Sequence, residues 1–178
     1  MTLTTIIESE RLLLLTATPD MLAAELSDRS LLSRLIGAAV PDNWPPETLR
    51  DALPFFLDKV RAKPEQAGWW FWYWLRKSVN GEPSILIGSG GFKGPMDDTG
   101  TVEIGYSVLP RFYRQGFATE GARALIEWAF EQTALRGVIA HVEPANDASI
   151  GTLRKLGFEL VGEGTEPGTI KYQISRGK

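Results

Sequence analysis

The chain has 178 residues, 43% of them hydrophobic and 23% charged, and its 19 Lys and Arg against 22 Asp and Glu leave a net charge of −3. This describes one globular domain over residues 1–178, and a mildly acidic chain without a basic run is a poor partner for nucleic acid or an anionic membrane surface. The absence of cysteine and the single histidine, His141, exclude disulfides, zinc–thiolate sites and an acyl-cysteine intermediate, and no metal is expected.

No stretch nears the roughly 18 apolar residues of a membrane helix. Met1 to Thr4 lacks the basic start and apolar core of a signal peptide, so the cytoplasm is the expected address.

In chain order, Ile6 to Thr16 reads as a strand with a turn or bulge at Glu8 to Arg11. Thr18-Pro19-Asp20 carries an N-cap, a first-position proline and a first-turn acid, which together open a helix reaching about Leu26. A second short helix is expected over Arg29 to Leu35, then a Pro-rich loop over 37–46. A helix over Thr48 to Lys63 should be interrupted or bent at Pro54.

Trp69 to Leu75 reads as an aromatic strand, and strands at Ile85 to Phe92 and Thr101 to Leu109 complete an antiparallel meander. Phe117 to Gln132 is an amphipathic helix, with Ala118, Ala122, Leu125, Ile126, Ala129 and Phe130 on one face. Val138 to Val142 is a short strand. Asp147 to Leu156 is a helix closed by Gly157, and strands follow over about Glu159 to Glu163 and Thr169 to Ser175. The pattern predicts a mixed α/β sheet with helices on both faces and a parallel crossover within 101–142.

The stretch from Val102 to Gly121 concentrates the chemistry. A strand ends at Leu109-Pro110, a loop rich in Arg, Gln and Gly follows, and a helix begins. Such a junction presents free backbone N–H groups and a positive helix end to an anion. Gly116 permits close approach, and Arg111 and Arg114 add charge. The fingerprints G-x-G-x-x-G and G-x-x-x-x-G-K-[ST] are absent, which argues against dinucleotide and ATP binding by those routes.

Tyr113-Arg114-Gln115-Gly116-Phe117-Ala118 resembles the acyl-CoA signature Arg/Gln-x-x-Gly-x-Gly/Ala of the GNAT superfamily of N-acetyltransferases. Ala118-Thr119-Glu120-Gly121, the preceding Glu103-Ile104-Gly105-Tyr106 and Pro110, and the downstream Asn146-Asp147-Ala148-Ser149 with Arg154-Lys155-Leu156-Gly157-Phe158 resemble its RimJ/RimL-like branch. The departure is Tyr113-Arg114, where the family usually has Arg or Gln and often Gly.

The resemblance implies the GNAT fold, a mixed sheet of about seven strands, and acetyl-CoA as cofactor. It implies that Arg114, Gln115, Gly116, Phe117, Ala118 and Thr119 bind pyrophosphate and that Ser107, Val108 and Leu109 bind pantetheine. Asn146 and Ser149 would then lie beside the pantetheine and the thioester sulfur. The acceptor it implies is a primary amine, either a protein N-terminus or a small molecule. A non-catalytic acyl-CoA-binding module would share the same motifs.

Within that framework a backbone N–H near Val108 can polarise the thioester carbonyl, and Glu103, on the face shared by Gly105 and Ser107, is the candidate general base, or else a solvent-facing strand residue. Ser149 is the candidate donor to the leaving thiolate, or else caps its own helix. His141, in a short apolar strand without a recognisable partner, reads as structural. The aromatic strand reads as core packing. In its functional reading one face, with Trp72, lines the acceptor groove and Trp44 forms a lid. An edge strand near the C-terminus can pair between two copies as a homodimer.

Overall fold

The computed structural model describes residues 4–132 and 135–177. Among them, eight strands form one sheet in the order β1-β2-β3-β4-β5-β6-β8-β7. The strands are β1 Ile6–Glu8, β2 Leu12–Thr16, β3 Trp72–Arg76, β4 Ile85–Phe92, β5 Thr101–Val108, β6 Gly137–Val142, β7 Glu159–Glu163 and β8 Ile170–Ser175. The helices are α1 Pro19–Ser27, α2 Arg29–Ile36, α3 Glu47–Ala62, α4 Phe117–Gln132 and α5 Asp147–Lys155. Neighbouring strands are antiparallel except β5 and β6, which are parallel.

The strand count exceeds the expected seven because residues 6–16 fold back on themselves. Ile6 stands opposite Leu15 and Glu8 opposite Leu13. The Ser9 N–H bonds the Leu12 carbonyl at 3.0 Å and the Leu12 N–H bonds Ser9 Oγ at 3.2 Å, so the polar Glu8–Arg11 segment is a full reversal. The aromatic segment also differs from expectation. Trp69 ends a 3₁₀ stretch, Pro64–Trp69, and the strand starts at Trp72. The Trp70 N–H is already bonded to the Ala67 carbonyl at 3.0 Å. Helix α3 runs unbroken through Pro54.

Local signals hold elsewhere. Thr18 caps α1 through the Met21 N–H, and Asn146 caps α5 through the Ser149 N–H. Gly157 has φ +90° and the Phe158 N–H bonds the Leu153 carbonyl at 3.0 Å, a left-handed helix end. Asp97 Oδ1 accepts from the N–H groups of Thr99 and Thr101, which folds the β4–β5 turn.

Two faces result. Trp72, Trp74, Phe92, Val102, Ile104, Tyr106 and Val108 face α4 and α5, where Trp128 packs on Trp72 and Phe92 and Trp74 stacks on Tyr106. Gly90 and Gly121 make room for the Trp74 indole. A Cβ on Gly90 would lie 3.0 Å from its Cε2, and one on Gly121 2.7 Å from its Cη2. The opposite face carries Phe71 and Tyr73 against α3 and α1 and, in register with them, Ser89, Gly91, Gly105 and Ser107. Both faces of β3 are buried, so its residues do not alternate in polarity.

Candidate active site

The pairing of β5 with β6 covers only Thr101 to Glu103 against Gly137 to Ile139. Beyond Glu103, β5 pairs with β4 and β6 pairs with β8, so the two parallel strands part and leave a fork. The Glu103 carbonyl accepts from the Lys93 N–H at 2.9 Å and the Leu109 N–H donates to the Ile87 carbonyl at 2.7 Å, both toward β4. Backbone groups alternate sides along a strand, so Gly105 and Ser107 also face β4, while Tyr106 and Val108 direct their N–H and C=O groups into the fork. The Val108 N–H therefore opens into the fork. The Leu109 N–H is committed to Ile87 and its side chain is buried, which corrects the expectation that it meets a ligand. The amide of Ser107 is turned toward β4 for the same reason, and that of Tyr106 opens into the fork.

At the open end of the fork, residues 113–116 turn into α4. Arg114 has φ +59° and Gly116 φ +83°. The position that the family often gives to glycine is thus occupied by Arg114 in a left-handed conformation. The first backbone bond of the helix is Glu120 N–H to Gly116 C=O at 3.0 Å. The N–H groups of Phe117, Ala118 and Thr119 precede that ladder and face the helix's positive end.

Sequence reasoning missed Arg11. Its guanidinium bonds the Gln115 carbonyl at 2.9 Å, lies 4.3 Å from the Phe117 ring centre and pairs with Glu120 at 2.7 Å. Burial opposes the charge on Glu120, but the Arg11 N–H, the Ser9 hydroxyl and the Arg11 guanidinium outweigh it and hold the carboxyl below its ordinary range. The β1–β2 turn is thereby pinned to the loop. A groove of about 640 Å³ opens beside it, bordered by Glu10, Gly116, Thr119, Arg123, Glu127 and Lys155.

Glu103 stands at the root of the fork on the α1–α3 face, with its side chain 16% exposed. Its Oε1 lies 2.6 Å from Lys93 Nζ and 3.0 Å from His141 Nδ1. His141, read as an isolated structural residue, has a partner: parallel pairing places Ile139 beside Glu103, and His141 follows two residues on, on the same face. Sequence spacing hides this pair because its members stand 38 positions apart across the crossover. On the other face, Asn146 and Ser149 sit at the start of α5, and the Tyr106 hydroxyl faces the side chains of Ser149 and Thr152.

The acceptor-side tryptophans are corrected. Trp72 is fully buried, donates its indole N–H to the Gly68 carbonyl at 2.8 Å and packs on Trp128 of α4. Trp44 is 2% exposed and donates to Glu25 Oε1 at 2.8 Å, while the Tyr73 hydroxyl donates to Glu25 Oε2. Each indole N–H found an internal partner, so both rings belong to the core rather than to a lid or groove wall. Aromatic rings that keep open surface on that side include Phe55, 51% exposed, and the half-buried Trp70 and Phe56 packed on it at 5.7 and 5.6 Å. Among the described residues no group of three or more His, Cys, Asp or Glu could hold a metal ion, and no helix is long and apolar enough to cross a membrane.

Residues 11–159 match the Acetyltransferase (GNAT) domain family. The chain belongs to this family of acetyl-CoA-dependent N-acetyltransferases. It is 31% identical over 156 residues to the uncharacterized N-acetyltransferase YjdG of Bacillus subtilis (strain 168), covering 87% of this chain and 90% of that one. Its fold is similar to that of the ribosomal-protein-S5-alanine acetyltransferase from Vibrio fischeri, with a TM-score of 0.65, 17% identity and coverage of 96% of each chain. It is also similar to the microcin C7 self-immunity acetyltransferase MccE, solved with acetyl-CoA and AMP, with a TM-score of 0.62, 16% identity and coverage of 94% of each chain.

Proposed function

We propose that the chain transfers the acetyl group of acetyl-CoA to a primary amine, either a protein N-terminus or a small molecule, by direct attack. The observation that carries this reading is the fork between β5 and β6, with a carboxylate at its root and a helix N-terminus at its mouth. The free backbone groups of Tyr106 and Val108 suit an extended amide-bearing arm such as pantetheine. The N–H groups of 117–119 at the start of α4 suit the pyrophosphate.

The two sheet faces divide the labour. An amine reaching the fork from the α1–α3 face meets Glu103, which takes its proton as the nitrogen attacks the thioester carbon. The Val108 N–H stabilises the oxyanion, and on the opposite face Ser149, with Tyr106 beside it, donates to the departing thiolate. The S5-alanine acetyltransferase among the fold neighbours supports a protein N-terminus as one acceptor class.

Calorimetric titration with acetyl-CoA and with CoA tests the first half. Saturable binding of both is expected, and no binding at millimolar ligand overturns the reading. Turnover on a panel of amines and peptides then separates an enzyme from a binding module.

A further inference from the structure

Both contacts to the Glu103 carboxylate fall on one oxygen. Lys93, just beyond β4, and His141, in β6, meet Oε1 from the two flanking strands at 2.6 and 3.0 Å. The next residue on that face is Gly105, where a Cβ would meet nothing within 4 Å, so the space beside the carboxylate is open. The turn between β7 and β8 supports both partners. The Thr165 N–H reaches His141 Nε2 at 3.3 Å, and Glu166 Oε1 takes Lys93 Nζ at 2.8 Å. Thr165 Oγ1 lies at the same 3.3 Å from Nε2, so this contact fits either tautomer; a ring that accepts there from the N–H holds its proton on Nδ1, the atom 3.0 Å from Glu103 Oε1 and otherwise without a hydrogen-bond partner. The ring has little freedom to turn. Its side chain is 4% exposed, and a Cβ on Gly164 would lie 2.9 Å from its Cδ2. Partial burial opposes the Lys93 ammonium, but Glu103 and Glu166 outweigh it and raise its pKa, so the cation persists through neutral pH.

We propose that Lys93 and His141 are positioning residues that fix Glu103 through Oε1 and so direct Oε2 to the acceptor amine, with Thr165 and Glu166 of the β7–β8 turn holding the two in place. The proposal deepens the reading of Glu103 as general base and rests on it. It makes the C-terminal hairpin part of the catalytic apparatus, although it supplies no reacting group.

Two readouts test it. The protein has one histidine, so a long-range ¹H–¹⁵N spectrum at a pH where the ring is neutral reports its tautomer without ambiguity. Protonated Nδ1, with signals that move in Glu103→Gln, is expected. A proton on Nε2 overturns the clamp whatever the turnover. In kinetics on the best amine of the panel, Lys93→Met should lower kcat between about tenfold and a hundredfold with KM for acetyl-CoA unmoved. Lys93→Arg should recover most of the loss, and Glu166→Gln should give a smaller one. An unchanged kcat in Lys93→Met, or a KM for acetyl-CoA that moves with it, overturns the assignment, provided thermal melts show each variant folded. Should the unaltered protein acetylate no amine while the imidazole shows the expected signature, the clamp stands and the function assigned to Glu103 falls.

Discussion

At Arg114 the chain holds a non-glycine residue at φ +59°, a conformation that costs an L-residue roughly 1–2 kcal/mol. Arg114→Gly should therefore be more stable than Arg114→Ala by about 1 kcal/mol in thermal or denaturant unfolding, since both lose the guanidinium and only one loses the strain. Equal stabilities would mean that the left-handed turn is relaxed in solution. Glu103 invites a functional test at the same scale. Glu103→Gln keeps the shape and removes the proton acceptor, so kcat should fall by about a hundredfold or more while CoA affinity by calorimetry stays nearly constant. Unchanged turnover would remove Glu103 from the chemistry. The face of β5 that carries Glu103 was legible in the sequence because strand alternation assigns it. Lys93 and Arg11 were not, because their partners are distant in sequence.

The strand–loop–helix junction works through backbone approach, so its glycines are tested by adding side chains. Gly116 lies at φ +83° with Arg11 Nη2 3.3 Å from where a Cβ would sit. Gly116→Val should weaken CoA binding by roughly 1–3 kcal/mol, and an unaffected dissociation constant would move the pyrophosphate elsewhere. Gly121 answers a different need. It lies inside α4, where glycine is intrinsically unfavourable, because the Trp74 ring occupies the space of its side chain. Gly121→Leu should destabilise the fold by about 1–3 kcal/mol or more, visible in chemical denaturation. The amphipathic pattern announced α4 clearly. The β1–β2 reversal was harder to read, since the leucine run after Arg11 carries no alternation to mark a second strand.

Across the whole molecule, Glu25 joins α1, the 37–46 loop and β3 through Trp44 and Tyr73. Burial drives its pKa up from 4.5 to about 7, although both hydrogen bonds pull the other way. The folded state thus favours the protonated carboxyl. Stability is fullest below the unfolded pKa near 4.5, falls as pH rises toward about 7 and levels off above it, a span of about 3 kcal/mol for this group. Glu25→Gln should flatten the loss of melting temperature between pH 5 and about 7.5. A variant whose melting curve follows the unaltered protein across that range would show that Glu25 is not the titrating group.

The sequence by itself determined the elements whose signals are local: helix caps, turn residues, hydrophobic period, the strand–loop–helix junction and, by resemblance, the family. The tertiary structure alone decided which groups meet. It buried Trp44 and Trp72, because an indole N–H seeks whatever acceptor the fold brings near, and it gave His141 and Glu103 to each other across a crossover. It also set Lys93 against the same carboxylate oxygen and the C-terminal turn behind both Lys93 and His141. Pairings of that kind depend on strand order and on where β5 and β6 separate, and neither is written in the spacing of residues along one chain.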